Sequence, residues 1–506
     1  MNDPLFKPAR RLLLQGGIAS VLAAAAPAGA LAQSGETRRS AEEPAEGAAR
    51  KGAAAISPLM RTVSTYIAQA GQMALPDAVT EATKHHLLDT LAAMVSGTRL
   101  LPGERAIAYA KTLGGTPEAC VPGTRIVTNA INAALTGGML AHADETDDTH
   151  ALAVIHPGAG VVPGALAMAE REKAGGTALL RAVALGYDIS VRLSLAMGAA
   201  DFSASGRDTH GFGCTFGTAA AAGLLARLNA DQVRHLLSYA AQQASGVANF
   251  PQDLEHVGKA FLYGGMPGRN GVAAATMVAM GWTGVEDMFA GDKNFFFAYG
   301  GAKTNPEVLA RGLGETFEVG KTNIKRWSVG GPIQAPLDSL SYLMKTHKLK
   351  ADDVEKVVVR VSHQGANTVN DRSMPNVSMQ QMVAVMLVDG TVTLTSANDV
   401  KRMQDPKIVE VRRRVELYGD DEMDRVRPVR QGIVEIKLRD GRELRHRTTE
   451  VRGMAQNPMT REEVGEKCYG LFTPVLGKKH ARELIDSVWR IERVNNVRAL
   501  RPLLRS

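Results

Sequence analysis

Hydrophobic residues recur at steps of three and four positions along residues 57–318, which is the spacing of one face of an α-helix. Short breaks that contain glycine or proline divide this region into segments. The pattern predicts helices over 62–72, 76–96, 103–113, 128–145, 164–174, 178–195, 215–228, 230–243 and 269–280. Because no strands alternate with these helices, a parallel sheet of the Rossmann type is disfavoured.

The pattern changes between about residues 319 and 449, where segments with strand character occur. Residues 354–361 are rich in β-branched side chains, which predicts a strand. Apolar and charged residues alternate along 431–450 around Asp440-Gly441, which predicts a hairpin with a tight turn. Helices are predicted between these strands, over 333–347, 376–388 and 405–416.

The chain returns to a helical pattern after residue 457, with Thr460 as the predicted N-cap and Glu463 completing a capping box. We therefore predict a mainly α fold with two domains. Both chain ends, 57–318 and 450–506, would form a large all-helical domain, and 319–449 would form a smaller α+β lid domain.

Residues 1–32 have the features of an export signal. Arg10-Arg11 precede an apolar stretch, and Ala30-Leu31-Ala32 fits a cleavage site of small residues. The paired arginines are similar to a twin-arginine signal, so we predict cleavage, a periplasmic location and no stable membrane span. A retained membrane anchor is the alternative, although the stretch is short for a spanning helix. Residues 33–56 are polar and aperiodic, which predicts a disordered linker.

Composition narrows the classes of partner. The formal net charge is +7, with basic residues dispersed along the chain, so a nucleic-acid partner is disfavoured and small anionic molecules are favoured. Aromatic residues make up only 5% of the chain, while glycine is abundant, which favours closely packed helices. The three cysteines are widely spaced and form neither a disulfide framework nor a zinc motif.

The first polar cluster spans residues 142–157 and contains seven acidic or imidazole groups between apolar flanks. Burying such groups is costly, and folds that do so often use the resulting pKa shifts. If 142–149 were helical, His142, Glu145 and Thr149 would share one face, and the three aspartates would point elsewhere. His156 would lie on a loop, where it could transfer protons. A polar helix end without chemical function is the alternative.

Three further clusters carry candidate residues. His210 lies in a polar segment, 207–213, and could be a second proton-transfer group or a helix cap. Lys259 and Arg269 flank a glycine-rich turn that could hold a carboxylate or phosphate, or could only allow close helix packing. Lys325 begins a basic turn before a glycine pair, which suits a polyanionic substrate or a solvated surface equally.

At these clusters, residues 57–506 resemble the MmgE/PrpD family, which includes 2-methylcitrate dehydratase, cis-aconitate decarboxylase and iminodisuccinate epimerase. The first cluster carries H-A-D-E-T-D-D-T followed by H-P-G. The others carry H-V-G-K-A with G-R-N-G-V, I-K-R-W, and G-M-A-Q-N-P-M-T-R-E-E-V. The resemblance implies a helical domain with an α+β lid, a homodimer, a di- or tricarboxylate substrate, and no metal or organic cofactor.

The resemblance also implies roles for individual residues. The implied catalytic residues are His156, His210, Lys259, Glu145 and Thr149. The implied substrate-binding residues are Lys325, Arg269, Asp148, Gln334 and Gln381. The two glutamines depart from the family pattern, in which histidine and tyrosine are common.

We predict a periplasmic, cofactor-independent lyase of the dehydratase type that acts on a small polycarboxylate by proton abstraction and elimination. An epimerase or decarboxylase of the same family is an alternative. Two other classes stay open: a metallohydrolase that uses the His/Asp/Glu cluster, and an exported carboxylate-binding protein without turnover.

Overall fold

Helices dominate the protein. The computed structural model describes residues 55–426 and 430–506, and most of its ordered elements are α-helices, which confirms the mainly α prediction. None of the described helices has the length and apolar character that crossing a membrane requires. The predicted export signal, and all but two residues of the predicted linker, lie outside the described residues.

From residue 55 to residue 330, the described residues form mainly α-helices and one two-stranded ladder, β1 Ala119–Cys120 and β2 Val127–Thr128. The helices are α1 Pro58–Gln69, α2 Asp77–Gly97, α3 Leu101–Ala110, α4 Ala130–Ala141, α5 Pro157–Arg171, α6 Gly176–Ala196, α7 Ala199–Ala204, α8 Thr209–Leu225, α9 Ala230–Gln243, α10 Val257–Ala260, α11 Met266–Ala279 and α12 Phe295–Tyr299. One π-helical turn, Phe261–Gly265, joins α10 to α11.

Small residues allow the central helices to approach closely. A Cβ atom at Gly217 of α8 would overlap the side chain of Ser190 on α6. A Cβ atom at Gly138 of α4 would overlap the backbone at Gly264. These contacts explain why a core with few aromatic residues is rich in glycine, because close backbone packing compensates for small side-chain volume.

The α+β part contains α13 Gly331–His347, β3 Val354–Val361, α14 His363–Val369, α15 Met379–Asp389, α16 Leu394–Asn398, α17 Pro406–Arg412, β4 Val415–Gly419, α18 Asp421–Arg425, β5 Gly432–Leu438 and β6 Glu443–Thr448. Its four-stranded sheet has the order β4-β3-β5-β6. Strand β3 pairs parallel with β4 and antiparallel with β5, and β5 pairs antiparallel with β6. The predicted strand at 354–361 and the predicted hairpin are confirmed.

Strand β4 was not predicted, because residues 405–416 were assigned to one helix. The helix α17 ends at Arg412, and Val415–Gly419 then pair with β3 in a parallel register. This pairing buries Val415, which is 6% exposed, against the sheet core. Parallel pairing joins residues more than fifty positions apart, so the local pattern alone did not indicate it.

Two large hydrophobic cores and three smaller clusters lie in the described residues. One contains the early helices together with residues from 459 onward, including Val464, Phe472 and Val488 of the last helix, α19 Arg461–Trp489. The other lies between Trp327 and Leu438 and packs helices against the sheet. The capping box of Thr460 and Glu463 at the start of α19 is confirmed. The predicted domain boundaries stay a prediction.

Candidate active site

A cavity of about 300 Å³ lies between residues of the early helices and residues of the α+β part. The polar and charged residues on its helical side are Glu145, Thr149, His156, Lys259, Tyr263 and Lys325. Five of these six were predicted for the site from the sequence, and Tyr263 is the sixth. The structure therefore brings together residues that are as much as 180 positions apart.

The segment 142–149 forms turns and is not helical. Helix α4 ends at Ala141, and His142 has φ −111° and ψ 34°. The predicted helix over 128–145 is therefore wrong beyond Ala141, and the shared helical face of His142, Glu145 and Thr149 does not exist. The aspartates of this segment have different partners. Asp147, which a helix would point away from the site, contacts His142 and His156.

Asp147 connects two histidines at the centre of the site. Its Oδ2 atom accepts hydrogen bonds from Nδ1 of His142 at 2.8 Å and from Nδ1 of His156 at 3.0 Å. Asp147 is fully buried, but the two histidines and Lys325 outweigh burial and hold its pKa well below the usual range. Because Nδ1 of His156 carries the donated proton, the lone pair of this ring is on Nε2.

His156 is suited to act as a base. Burial lowers the pKa of His156 well below its usual value, and Asp147 only partly opposes this effect. The imidazole is therefore neutral at neutral pH, with Nδ1 held by Asp147 and the ring lining the cavity. A neutral imidazole with a fixed tautomer is the form that accepts a proton.

Glu145 and two lysines form a second buried group. Lys259 makes an ion pair with Oε1 of Glu145, and Nζ of Lys325 lies 3.3 Å from Oε2. Lys325 also donates to the carbonyl oxygen of Glu145 at 2.9 Å. Burial opposes ionisation of Glu145, but the two lysines outweigh it, and its pKa lies well below the usual range. Glu145 thus contacts the lysines and not His156.

His210 lies behind the cavity lining. It is in the first turn of α8, where Asp208 caps the helix and accepts from the His210 backbone N–H at 2.9 Å. The prediction that the helix begins at 215 is therefore wrong by six residues. The ring stacks on Tyr263 at 3.4 Å between centroids, and Tyr263 lines the cavity. The His156 and His210 rings are 5.3 Å apart.

Asp148 lies away from the cavity. Its carboxylate accepts hydrogen bonds from Nδ1 of His86 at 2.7 Å, from the hydroxyl of Tyr187, and from the Gly158 backbone at 3.0 Å. The side chain is completely buried. Since both oxygens are occupied by protein donors, this position fits anchoring of α2, α5 and α6, and substrate contact by Asp148 stays a prediction.

Asp148→Asn should therefore lower stability and leave substrate affinity unchanged. The amide would leave a buried donor unpaired, and the expected loss is about 3 kcal/mol in the free energy of unfolding. Chemical denaturation measures this loss, with the exposed Asp292→Asn as the control, expected within about 0.5 kcal/mol of the parent. A raised KM at unchanged stability would instead support substrate contact by Asp148.

Three other predicted substrate-binding residues do not line the cavity. Gln334 is bound by the backbone: its amide donates to the carbonyls of Trp327 at 2.8 Å and Val329 at 2.9 Å. Gln381 lies fully buried in α15. Arg269 packs over the Phe261 ring at 5.6 Å. The contacts of Gln334 and Arg269 fit structural roles, whereas neither polar atom of the Gln381 amide has a hydrogen-bond partner among the described residues. Direct substrate binding by the three residues stays a prediction.

Sequence reasoning missed three residues of the site. Asp147 belongs to the first polar cluster, but a helical 142–149 would point its side chain away from the site. Tyr263 lies in the π-helical turn, a feature that is frequent at functional sites but has no local sequence signal. Arg430 lines the cavity from the α+β part, 171 positions after Lys259 (430 − 259), and no motif indicated it.

Three groups of described side chains have the donor atoms to hold a metal ion: His363 with Asp421 and Asp424 on the surface, and two buried groups at this site. His142 belongs to both buried groups, together with Glu145 and His256 in one and with Asp147 and His156 in the other, and the donor atoms of each group lie within 4.8 Å. In both groups the carboxylate is already close to lysine ammonium groups, which repel a divalent cation. The charge pattern therefore favours a carboxylate ligand, and metal analysis of the purified protein tests the metallohydrolase alternative.

Comparison with known proteins adds to this geometry. The MmgE/PrpD N-terminal domain profile matches residues 61–307, and the MmgE/PrpD C-terminal domain profile matches residues 327–492. The chain is 26% identical over 462 residues to cis-aconitate decarboxylase of Homo sapiens, covering 85% of this chain and 91% of the relative. It is 23% identical over 464 residues to cis-aconitate decarboxylase of Mus musculus, covering 85% and 90%.

Proposed function

Because the chain belongs to the MmgE/PrpD family, we propose that it is a lyase acting on a small di- or tricarboxylate through a carbanion next to a carboxylate group. The observation that carries this proposal is the position of His156, which donates from Nδ1 to Asp147 and lines one cavity together with Lys259 and Lys325. A base and two cations in one cavity are the groups that such chemistry requires.

The proposed reaction begins with proton transfer to His156. Its Nε2 atom takes a proton from the carbon next to a substrate carboxylate, and Asp147 stabilises the imidazolium that forms. The electron pair left on carbon delocalises into the carboxylate as an enediolate. Lys259 and Lys325 stabilise this added negative charge, because they lie in a buried site where charge interactions are strong.

Two reactions can use these groups, and dehydration is the one that passes through this carbanion. In dehydration, the electron pair forms a double bond, and the hydroxyl group takes the proton from the His156 imidazolium and leaves as water. In decarboxylation, the carbon–carboxylate bond breaks first, carbon dioxide leaves, and the electron pair left on carbon takes a proton from solvent. Dehydration is the reaction expected from the sequence, and decarboxylation is the second candidate because both relatives are cis-aconitate decarboxylases.

Proton NMR in heavy water separates these outcomes. The purified protein would be incubated with citrate, 2-methylcitrate, cis-aconitate and iminodisuccinate in turn. Dehydration proceeds without loss of carbon: citrate gives a vinyl proton signal, and 2-methylcitrate loses its methine proton while its methyl doublet becomes a singlet. Decarboxylation releases carbon dioxide and places one deuterium on the product. Epimerisation gives deuterium exchange without a change in constitution. Binding of a ligand without deuterium exchange and without any product would refute the lyase and support a carboxylate-binding protein.

We also propose a homodimer in the periplasm, which rests on the sequence and on the family resemblance. Mass photometry of the purified protein tests the assembly, and a monomer at micromolar concentration would refute it. Cell fractionation with the arginine pair at 10 and 11 changed to lysines tests the export route. Retention of this variant in the cytoplasm is expected, and unchanged export would refute a twin-arginine signal.

A further inference from the structure

Arg430 lines the cavity on the side formed by the α+β part. It lies just before β5, next to Gln431, and the lining there also includes Gln364 and the first residues of α13. Among the described lining residues, Arg430 is the charged side chain that the region after residue 330 contributes. A guanidinium group at this place can bind a carboxylate through two parallel hydrogen bonds.

The backbone at Gly331 is shaped to admit Arg430. A Cβ atom at Gly331 would overlap Nη1 of Arg430 and come within 2.7 Å of Nη2. Gly331 is the first residue of α13, and its φ angle is not in the left-handed region, so conformational freedom does not explain the glycine. The absence of a side chain is what allows the guanidinium group to lie against the cavity wall.

The two lysines on the other side of the cavity contact protein carboxylates. Lys259 and Lys325 contact Glu145, and Lys325 also lies 3.6 Å from Oδ1 of Asp147. Two ammonium groups therefore face two protein carboxylates, a balance of zero (2 − 2). One substrate carboxylate can join this group, but a second carboxylate several carbon atoms away needs another cation.

From this arrangement we propose that Arg430 forms a subsite for the substrate carboxylate that is remote from the reacting carbon, and that Gly331 keeps the subsite open. This inference rests on the proposed function, since it assumes a polycarboxylate in the same cavity. The ligand class is a chain with carboxylates at both ends, where one end meets the lysines and the other meets Arg430. The subsite would select against analogues in which the remote carboxylate is replaced by an apolar group.

Isothermal titration with two non-reacting ligands tests the subsite. Tricarballylate has three carboxylates, and 2-ethylsuccinate is the same skeleton with a methyl group in place of one terminal carboxylate. The parent protein should bind tricarballylate at least about tenfold more tightly, because a charge-assisted pair is lost with the methyl group. In Arg430→Gln this preference should fall to about twofold or less, while the affinity for 2-ethylsuccinate stays nearly unchanged.

Two further variants separate the subsite from general damage. Gly331→Ala keeps every charge but displaces Arg430, so it should lose the preference as Arg430→Gln does. Arg372→Gln is the matched control, since Arg372 lines the neighbouring chamber and not this cavity, and it should keep the preference.

Other outcomes overturn the inference in distinguishable ways. Equal weakening of both ligands in Arg430→Gln, no preference in the parent protein, or loss of the preference in Arg372→Gln would refute the subsite and leave the proposed lyase intact. Absence of binding of either ligand to the parent protein, together with no turnover in the NMR assay, would refute both.

Discussion

His156→Ala is expected to lower kcat by about 10³-fold while the thermal unfolding midpoint stays nearly unchanged. The variant removes the group whose Nε2 lone pair is free for proton abstraction. Asp147 keeps its hydrogen bond to His142 and its proximity to Lys325, so no buried carboxylate is left without a partner. Steady-state kinetics on the substrate found by NMR, together with a thermal melt, measures both effects.

The control for this variant is a second histidine–aspartate pair on the surface. Nδ1 of His363 lies 2.7 Å from Asp424, and the His363 side chain is 55% exposed. His363→Ala should leave kcat within about twofold of the parent, because a surface pair contributes little. A fully active His156→Ala would refute the assigned base, and a large fall in the melting midpoint would show that the residue mainly supports the fold.

Asp147→Asn is expected to lower kcat by about 10²-fold and to move the acid limb of the pH profile to lower pH. Asp147 raises the pKa of His156 against the stronger effect of burial. Without this carboxylate the pKa of His156 falls further, so the ring stays neutral to a lower pH and becomes a weaker base. Measuring kcat/KM between pH 4.5 and 8 reports this shift.

The direction in which the acid limb moves shows whether Asp147 positions His156 or only supports the fold. A base must be neutral to act, so activity is lost as pH falls through its pKa, and a lower pKa moves this loss to lower pH. Asp424→Asn, which alters the matched surface pair, should leave the profile unchanged. An unmoved acid limb in Asp147→Asn, with lost stability as its sole effect, would contradict the positioning role.

The parts of the fold that depend on local pattern could be predicted from the sequence. The strand at 354–361 and the helix at 230–243 have the predicted bounds, because side-chain periodicity and propensity decide them. The capping box at Thr460 is equally local, since its two hydrogen bonds join residues three positions apart. The strand β4 was missed because its partner is distant in sequence.

The residue types of the site could be predicted from the sequence, but the contacts between them could not. The sequence showed that acids and imidazoles cluster at 142–157, but it did not show which partner each would take. Asp147 meets His156 nearby, whereas Asp148 meets His86 and Tyr187, from elements that only the fold brings close. A motif position gives the place of a residue in the chain, and the direction of its side chain depends on long-range packing.

The pairing of Glu145 with two lysines has a consequence for the affinity of the site for carboxylate ligands. Glu145 already neutralises the two lysines before a ligand binds. A substrate carboxylate must therefore displace Glu145 from the lysines or share them with it. Affinity then reflects a difference between two similar attractions, and the net gain on occupancy is small. This exchange would favour product release, because Glu145 would pair with the lysines again as the product dissociates.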